Sequence, residues 1–412
     1  MLKAELQEII ANGENSGVEF KRDDVRPEQL AKEIVALANL QGGVILLGVE
    51  DDGTIVGIQR DDLETWIMDT VFGRYVHPAL WPFYEVVTLD DGRRVAVISI
   101  AMGTSKPYVV RHNDREDTYV RIGSTSRLAT REQQARLFST GGLLHSEALP
   151  VSGAAFNALD RERLEDYLTF IGEDELPPTD ESWQRRMVGL GFMTEGAGRF
   201  VCTVAGLVLF SRTPRRFLRQ AGIRLMAFKG TDKDYGALED TVLDGPLVNR
   251  YERLGTTKGP VLERGLIDST MDRMRPFVSE ESDALENHLR RYRRWHYPPD
   301  AIREALINGF AHRDWTHALE VEITRYSDRL EVLSPGALPN SMTIEKMLSG
   351  QRTPRNPIIV SVLRDYGYVD ARGMGVRKKI VPLVREASGV EPVFEATEDY
   401  VRVVLPKSHE RD

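Results

Sequence analysis

Residues 303–314 restrict the fold more than any other segment, because polar residues recur in it at every fourth position. The segment reads Arg-Glu-Ala-Leu-Ile-Asn-Gly-Phe-Ala-His-Arg-Asp. Positions four apart lie on one face of an α-helix, so Glu304, Asn308 and His312 share a polar stripe. Apolar residues of the same stretch form a second face, which predicts a helix packed on one side against a core: Ile302, Ala305, Leu306 and Phe310.

The polar stripe has the chemistry of a magnesium nucleotide site. The amide oxygen of Asn308 can bind a hard cation, and the carboxylate of Glu304 can orient or deprotonate water. The opposing interpretation is a capped core helix in which Asn308 is satisfied by structural hydrogen bonds. The stripe alone leaves both interpretations open.

Two segments that follow the predicted helix in the sequence form, together with it, the motif order of a known family. Residues 319–333 predict a strand, a turn and a second strand, which end in a turn at residues 334–339. An Arg-Gly-Met-Gly-Val sequence at residues 372–376 opens another helix. A helical Glu-x-x-x-Asn, a hairpin into a glycine turn and a later Gly-x-Gly resemble the GHKL ATPase family, in its RecG C-terminal-like form. The Arg-Glu-Ala-Leu-x-Asn string ending in His-Arg-Asp is specific to that form.

This resemblance implies ATP and Mg²⁺ as cofactors. It implies that Asn308 holds the magnesium ion and that Glu304 polarises the attacking water. His312 completes the stripe and is expected to belong to the cofactor-binding set. A weak ATPase activity would follow from these roles.

The same resemblance assigns roles to the glycines. Gly336 would line the adenine pocket, while Gly373 and Gly375 would let backbone amides approach the phosphates. A helix that begins at Gly375 would direct its positive end toward them. Ser334 stands where the family usually has an aspartate that binds the adenine amino group.

The amino-terminal third places acidic residues near a predicted strand end. Pro27 predicts the first turn of a helix, and the glycine pair at residues 42–43 ends that helix. Residues 44–47 predict a strand, which an Asp-Asp-Gly turn at residues 51–53 returns as a hairpin into residues 55–58.

Carboxylates around this strand end have the composition of a phosphodiesterase site. Glu14, Glu19 and either Asp51 or Asp52 are expected to converge on a divalent cation, with Lys21 stabilising charge on a phosphate. The opposing interpretation makes the Glu19 and Lys21 side chains an exposed strand pair and the Asp-Asp-Gly turn a simple hairpin turn.

Four motifs in this region resemble the Schlafen AlbA-type domain, over about residues 5–130. They are Glu-x-x-x-x-Glu-Phe-Lys from residue 14, Ala-Leu-Ala-Asn-x-x-Gly-Gly at 36–43, Gly-Val-x-Asp-Asp-Gly at 48–53, and Tyr-Val-Arg-x-Gly-Ser-Thr at 119–125. The resemblance implies a DNA- or RNA-binding module. In animal members two Glu and one Asp form an RNA-cleaving site. The Glu pair maps onto Glu14 and Glu19, with Mn²⁺ as an alternative to Mg²⁺.

The composition and the apolar runs of the sequence indicate in which cellular compartment the protein is expected. The single cysteine, Cys202, excludes an internal disulfide framework and a Cys-rich zinc site. No secretory leader is apparent, so a cytoplasmic location is expected. The longest apolar runs, such as residues 44–49 and 205–210, are far shorter than the roughly twenty residues that a bilayer requires.

The net charge and the positions of the basic residues indicate how the chain could bind nucleic acid. A formal net charge of −9 argues against a protein that coats nucleic acid non-specifically. Basic residues cluster at 290–296, where aromatic residues are interleaved, and again at 377–379. The first cluster would either track a phosphate backbone and stack a base or form a solvated helix.

These patterns predict an α+β protein of two lobes. We expect a Schlafen AlbA-like α/β module at 1–145, a helical and winged-helix-like middle segment at 146–285, and a GHKL-like α/β sandwich at 286–412. The helix and hairpin of the middle segment are expected to pack beneath the ATPase-like region.

Two functions are compatible with this organisation. In the first, ATP binding controls a self-associating protein that binds DNA or RNA and cleaves it with a divalent metal, in phage defence or RNA processing. In the second, the chain is a non-enzymatic transcriptional regulator that senses ATP and only binds DNA.

Overall fold

Two compact units, Met1–Leu144 and His145–Asp412, make up the chain. Each unit combines helices with sheets, and the α+β, two-part architecture predicted from the sequence is confirmed. The computed structural model describes residues 1–113, 115–141, 145–171, 175–196, 198–254, 257–282, 292–339, 342–351, 353–369 and 375–409.

The first unit contains short helices and nine strands within its described residues. Its helices are α1 (Lys3–Asn12), α2 (Pro27–Asn39), α3 (Leu63–Thr65, continued by the helical segment Trp66–Tyr75) and α4 (Arg131–Thr140). Its strands are β1 (Val18–Lys21), β2 (Gly42–Leu47), β3 (Val76–His77), β4 (Phe83–Thr88), β5 (Arg94–Ala101), β6 (Val109–His112), β7 (Arg115–Asp117), β8 (Tyr119–Ile122) and β9 (Thr125–Leu128).

A four-stranded sheet in the order β1-β2-β5-β4 forms the centre of this unit. β1 and β2 are parallel, with Lys21 opposite Leu47, so the ends of both strands meet at the same edge. α2 begins at Pro27 as predicted and buries Leu30, Ile34 and Leu37 against the sheet. The parallel pair therefore places the chain that follows β2 beside the end of β1.

The chain turns back at residues 51–53 as predicted, but the return is much shorter than the predicted hairpin into residues 55–58. β2 pairs with β1 and β5, and only an isolated bridge joins Val49 to Ile55. Gly48 and Gly57 have left-handed φ angles of 94° and 78°, and the N–H of Gly57 donates to the carbonyl of Gly48 at 2.9 Å. These glycines close a tight loop after β2, which leaves its edge free for β5.

The second unit contains eight α-helices and twelve strands within its described residues. The helices are α5 (Arg161–Asp166), α6 (Asp180–Gly189), α7 (Val204–Phe210), α8 (Leu266–Val278), α9 (Pro299–His312), α10 (Ile344–Leu348), α11 (Pro357–Asp365) and α12 (Val381–Ser388, preceded by the helical segment Val376–Ile380). The strands are β10 (Met193–Gly196), β11 (Arg199–Cys202), β12 (Ile223–Ala227), β13 (Glu239–Leu243), β14 (Arg250–Leu254), β15 (Thr257–Glu263), β16 (Ser279–Ser282), β17 (Tyr292–Trp295), β18 (Val321–Arg325), β19 (Arg329–Pro335), β20 (Val393–Ala396) and β21 (Tyr400–Pro406).

Six of these strands form one sheet, in the order β13-β12-β18-β19-β21-β20. β12 and β18 are parallel, and the other neighbouring pairs are antiparallel. Because β12 and β13 precede residue 285 and the other four strands follow it, the boundary predicted there falls inside this unit. Residues 393–406 contain the two strands β20 and β21, of which β20 lies at the edge of the sheet.

The predicted helix that carries the polar stripe is confirmed as α9. Pro299 occupies its first turn, and its apolar face is buried, with Ile302, Leu306 and Phe310 fully inaccessible. Burial of each such side chain contributes about 1.5–3 kcal/mol. This apolar face therefore fixes the rotation of α9 and turns the stripe away from the core.

The end of α9 is held by one side chain from the start of α11. The Asn356 side-chain amide donates to the carbonyls of Phe310, Ala311 and Arg313 at 3.1, 3.2 and 2.9 Å. These carbonyls lie at the helix end, where intrahelical partners run out. Asn356 is fully buried, so water cannot replace it.

No helix in the described part of the chain combines the length and the apolar character that crossing a bilayer requires.

The Asn356→Ala variant is expected to lose roughly 2–3 kcal/mol of unfolding free energy, because buried carbonyls at the end of α9 would lose their donor. Urea unfolding followed by circular dichroism measures this loss. Asn157→Ala removes an exposed amide from the same unit and should change the value by no more than about 0.5 kcal/mol. Equal stability of both variants would contradict the role given to Asn356.

Candidate functional site

The polar stripe of α9 lines a cavity in the second unit. Glu304, Asn308 and His312 all face it, as their four-residue spacing predicted. Much of the remaining wall is apolar: Val332, Val360, Val376, Phe394, Val401 and Val403. An apolar cavity with a few polar groups at fixed places is the usual form of a small-molecule site.

One end of this cavity is charged. Glu304 is nearly buried, its Oε2 lies 3.4 Å from Lys379 Nζ, and its Oε1 lies 3.5 Å from Asn308 Nδ2. A Cβ atom at Gly375 would overlap the Glu304 carboxylate. Gly375 is therefore required here by the close approach of Glu304, and it opens the helical run that carries Lys379.

The other end of the cavity is neutral. Burial and the nearby charge of Arg355 lower the pKa of His312 to about 4, so its imidazole is uncharged at neutral pH. Within the described residues this ring makes no hydrogen bond. The Ser334 hydroxyl donates to the carbonyl of Gly309 at 2.7 Å, which leaves its oxygen as an acceptor.

Of the other two predicted glycines, Gly336 packs against Asp314 next to the cavity lining. Gly373 lies outside the described residues. Gly336 has a φ of 108°, and a Cβ there would meet the side chain of Asp314. Asp314 forms a buried ion pair with Arg355, whose charge lowers the pKa of the Asp314 carboxyl despite its burial. Gly336 is not part of the cavity lining, whereas its neighbour Ala337 is.

Lys379 and Arg355 were not identified as site residues from the sequence. Lys379 was seen only as part of the basic cluster at residues 377–379. Its position one helical turn after Gly375 is a signal that could have placed it beside Glu304. Arg355 carried no such signal, because its partner Asp314 lies 41 residues away.

A second polar cluster surrounds Lys21 at the end of β1, in the first unit. Its Nζ lies 2.7 Å from Glu19 Oε1, 3.4 Å from Asp51 Oδ1 and 3.8 Å from Glu14 Oε1. It also donates to the carbonyl of Phe20 at 2.7 Å. Burial opposes its charge, but the Glu19 hydrogen bond and the three carboxylates raise the pKa of Lys21 overall.

The two candidate aspartates have different surroundings. Asp52 accepts a hydrogen bond from the N–H of Thr54 at 2.8 Å, and this turn contact lowers its pKa. Asp51 instead approaches Lys21. The structure thus brings Glu14, Glu19 and Asp51 together and leaves Asp52 in the exposed turn.

Arg121 is a further member of this cluster that sequence reasoning did not assign. Its side chain is fully buried, with Nη1 2.6 Å from Glu19 Oε2 and 3.0 Å from Glu33 Oε2. Nη2 donates to the carbonyls of Asn15 and Val18 at 2.9 and 3.0 Å. Arg121 therefore holds the segment between the two glutamates in place.

The two clusters differ in how well they fit a metal. In the described part of the chain, no group of three or more His, Cys, Asp or Glu side chains is arranged to hold a metal ion. The carboxylates of the first unit surround an ammonium group, so this cluster does not fit a divalent ion as it stands. Asn308 lines the cavity, and its amide oxygen accepts no hydrogen bond from the described residues, which suits an ion that arrives with phosphate oxygens.

The basic cluster predicted at residues 290–296 is not a solvated helix. Its first two residues lie outside the described part, and Arg293 and Arg294 belong to strand β17. They face Glu281 at 3.0 Å and Glu280 at 3.9 Å. These glutamates offset much of the charge that a phosphate backbone would require.

Comparison with known proteins identifies two families in the chain. Residues 14–130 match the family described as "Schlafen, AlbA_2", and residues 319–405 match "Putative ATP-dependent DNA helicase recG C-terminal". Both resemblances seen in the sequence are thereby confirmed. α9 precedes the second matched range, so the role of its stripe depends on the geometry described above. No curated protein matches the chain.

Two solved structures are similar to parts or all of it. The DIP2311 protein from Corynebacterium diphtheriae is 22% identical over 98% of this chain and 80% of that one, with a TM-score of 0.45. The N-terminal domain of a "Putative ATP-dependent DNA Helicase RecG-related Protein" from Nitrosomonas europaea is 24% identical over 30% of this chain and 90% of that one, with a TM-score of 0.24.

The Gly375→Ala variant is expected to lose about 1–3 kcal/mol of unfolding free energy, because its new methyl group would displace the Glu304 carboxylate. Gly189→Ala is the matched control, since a Cβ at that helical position meets no atom within 4 Å. Thermal unfolding of both variants measures the difference. A Gly375→Ala protein as stable as wild type would show that Glu304 does not need this approach.

Proposed function

We propose that this chain, which joins a Schlafen AlbA_2 region to a RecG C-terminal-like region, binds a nucleoside triphosphate in its second unit and nucleic acid through its first. A cytoplasmic location and self-association stay predictions from the sequence. The observation that carries the nucleotide proposal is the division of one cavity into a charged end and an apolar, neutral end.

The charged and apolar ends of the cavity match the two chemically different ends of a nucleotide, its phosphates and its base. Glu304 and His312 are eight residues apart, so the stripe extends over about 12 Å of helix. Lys379 contacts the lining residue Glu304 at the charged end and can receive a polyphosphate there, and the helical run from Gly375 adds the positive end of its dipole. The apolar wall at the other end suits a base.

Side chains at the two ends of the cavity would bind different parts of the nucleotide, the phosphates at the charged end and the base at the neutral end. A bound Mg²⁺ would supply charge neutralisation at the phosphates, and the amide oxygen of Asn308 is the group that would hold it. Ser334 presents an accepting oxygen, because its proton is already donated to Gly309. An acceptor complements the amino group of adenine, which supports ATP as the nucleotide.

Exposed aromatic side chains support nucleic-acid binding by the first unit. Trp81 and Phe83, beside and on the edge strand β4, are 86% and 65% exposed. Aromatic faces of this kind stack on unpaired bases without sequence preference. Single-stranded nucleic acid is therefore the partner class that this surface favours.

Binding without cleavage is the function that the first cluster supports best, because Lys21 lies among the carboxylates that a metal would need. Metal-dependent cleavage is the second candidate. It is supported by the convergence of Glu14, Glu19 and Asp51 within 4 Å of one atom. The two candidates make opposite predictions about divalent cations.

The Asn308→Ala variant should bind Mg·ATP at least roughly tenfold more weakly than wild type, since each tenfold corresponds to about 1.4 kcal/mol of lost ion and phosphate contact. Isothermal titration calorimetry measures both affinities. Asn157→Ala, which removes an exposed amide that is not part of the cavity lining, should bind like wild type. Equal heats from wild type and Asn308→Ala would remove Asn308 from the site.

Replacing Trp81 and Phe83 together by alanine should weaken binding to single-stranded DNA or RNA by roughly tenfold or more, because each stacked base contributes about 1–3 kcal/mol. Fluorescence anisotropy measures the affinity, with Tyr235→Ala as the control because Tyr235 is fully exposed in the second unit. Unchanged affinity in the double variant would exclude this surface.

The same oligonucleotides, incubated with Mg²⁺ or Mn²⁺ and resolved on a denaturing gel, should stay intact. Cleavage by wild type that disappears in Glu19→Gln would instead establish the second candidate function.

A further inference from the structure

The ammonium group of Lys21 is fully engaged by the protein. Three oxygen atoms lie within 3.4 Å of Nζ: the carbonyl of Phe20, Glu19 Oε1 and Asp51 Oδ1. An ammonium has three protons, so its donor capacity matches these three acceptors. The side chain is 24% exposed, which limits competition from water.

Charge around this point favours a cation strongly. Glu14, Glu19 and Asp51 carry three negative charges when ionised, and Lys21 returns one positive charge, which leaves a formal balance of −2. Arg121 does not alter this balance, because it also pairs with Glu33. Some cation has to lie among these carboxylates for them to stay close together.

We infer that Lys21 is the resident cation of this cluster, and that its ammonium group keeps divalent metal ions out of the space between Glu14, Glu19 and Asp51.

Geometry makes the two cations mutually exclusive. Divalent ions such as Mg²⁺ and Ca²⁺ bind carboxylate oxygens at about 2.0–2.6 Å, so an ion held by Glu19 and Asp51 would lie within the space that Nζ fills. Two cations so close together would repel each other strongly. A metal can enter only if the lysine side chain leaves.

Glu19 is held by a cation at each of its two oxygens. It is 4% exposed, its Oε1 lies 2.7 Å from Lys21 Nζ, and its Oε2 lies 2.6 Å from Arg121 Nη1. Removal of the ammonium would leave Oε1 and the carboxylates of Glu14 and Asp51 without their shared cation, so a divalent ion could take its place.

The inference concerns the first unit alone and does not depend on the nucleotide site. It also separates the two candidate functions, because a wild-type protein that excludes metal from this cluster cannot cleave through it. Its failure is distinguishable from failure of the nucleotide proposal, since the two are measured with different ligands.

The test is binding of Mn²⁺ alone to the full chain, without nucleotide, measured by electron paramagnetic resonance of free Mn²⁺. Lys21→Met should bind at least roughly tenfold tighter than wild type, because it removes a positive charge next to the incoming ion. Lys21→Arg keeps the charge and should resemble wild type. The double variant Lys21→Met with Glu19→Gln removes one carboxylate and should return to the wild-type affinity.

Lys3→Met is the matched control. Lys3 contacts Asp90 at 2.6 Å in the same unit, and neither residue contacts Glu14, Glu19 or Asp51, so this change removes an equal charge outside the cluster and should leave Mn²⁺ affinity unchanged. Any Mn²⁺ bound in the second unit is common to all variants. The inference is overturned if wild type binds Mn²⁺ as tightly as Lys21→Met, or if the double variant keeps the gain.

Stability gives a second readout if Lys21→Met folds poorly, because uncompensated carboxylates repel one another. In that case Mn²⁺ should raise the melting temperature of Lys21→Met but not that of wild type or of the double variant. A Mn²⁺ effect of the same size on all three proteins would overturn the inference.

Discussion

The attachment of the end of α9 to the start of α11 is the interaction on which the second unit's cavity depends. Asn356 holds three carbonyls there, and the adjacent Arg355 pairs with Asp314, the residue that follows the helix end by two positions. Both contacts are buried, so both hold without competition from water. His312, at the last position of α9, is thereby fixed in the cavity that Ser334 also lines, and the polar stripe keeps one direction along that cavity.

Local sequence patterns predicted the parts of each site that lie on one element. The stripe of α9 follows from helical geometry alone, since residues four apart must share a face. Lys379 and Arg121 could not be predicted in this way, because each meets its glutamate across 75 or 102 residues of chain and only tertiary packing decides the pairing. The hairpin after β2 is shorter than predicted for a similar reason, because β2 pairs with β5, at residues 94–101, which are distant in the sequence.

The first unit shows why composition at a site does not determine its chemistry. Glu14, Glu19, Asp51 and Lys21 were all expected to be neighbours, and they are. Spacing could not show whether the lysine points toward a substrate phosphate or into the carboxylates. That choice depends on the Phe20 carbonyl and on Arg121, which orient the strand and the oxygens around Nζ.

A glutamate paired with a lysine occurs in both units, and an anionic ligand would act on each pair in a comparable way. A polyphosphate that binds Lys379 offers oxygens that replace Glu304, so nucleotide binding would release this carboxylate to orient water. Lys21 has three such partners and less exposure than Lys379, 24% against 41%. An anionic ligand therefore has to replace more contacts to free Lys21. Under the proposed functions, the second unit is for this reason the better placed of the two to use its glutamate in chemistry, and the first is better suited to binding.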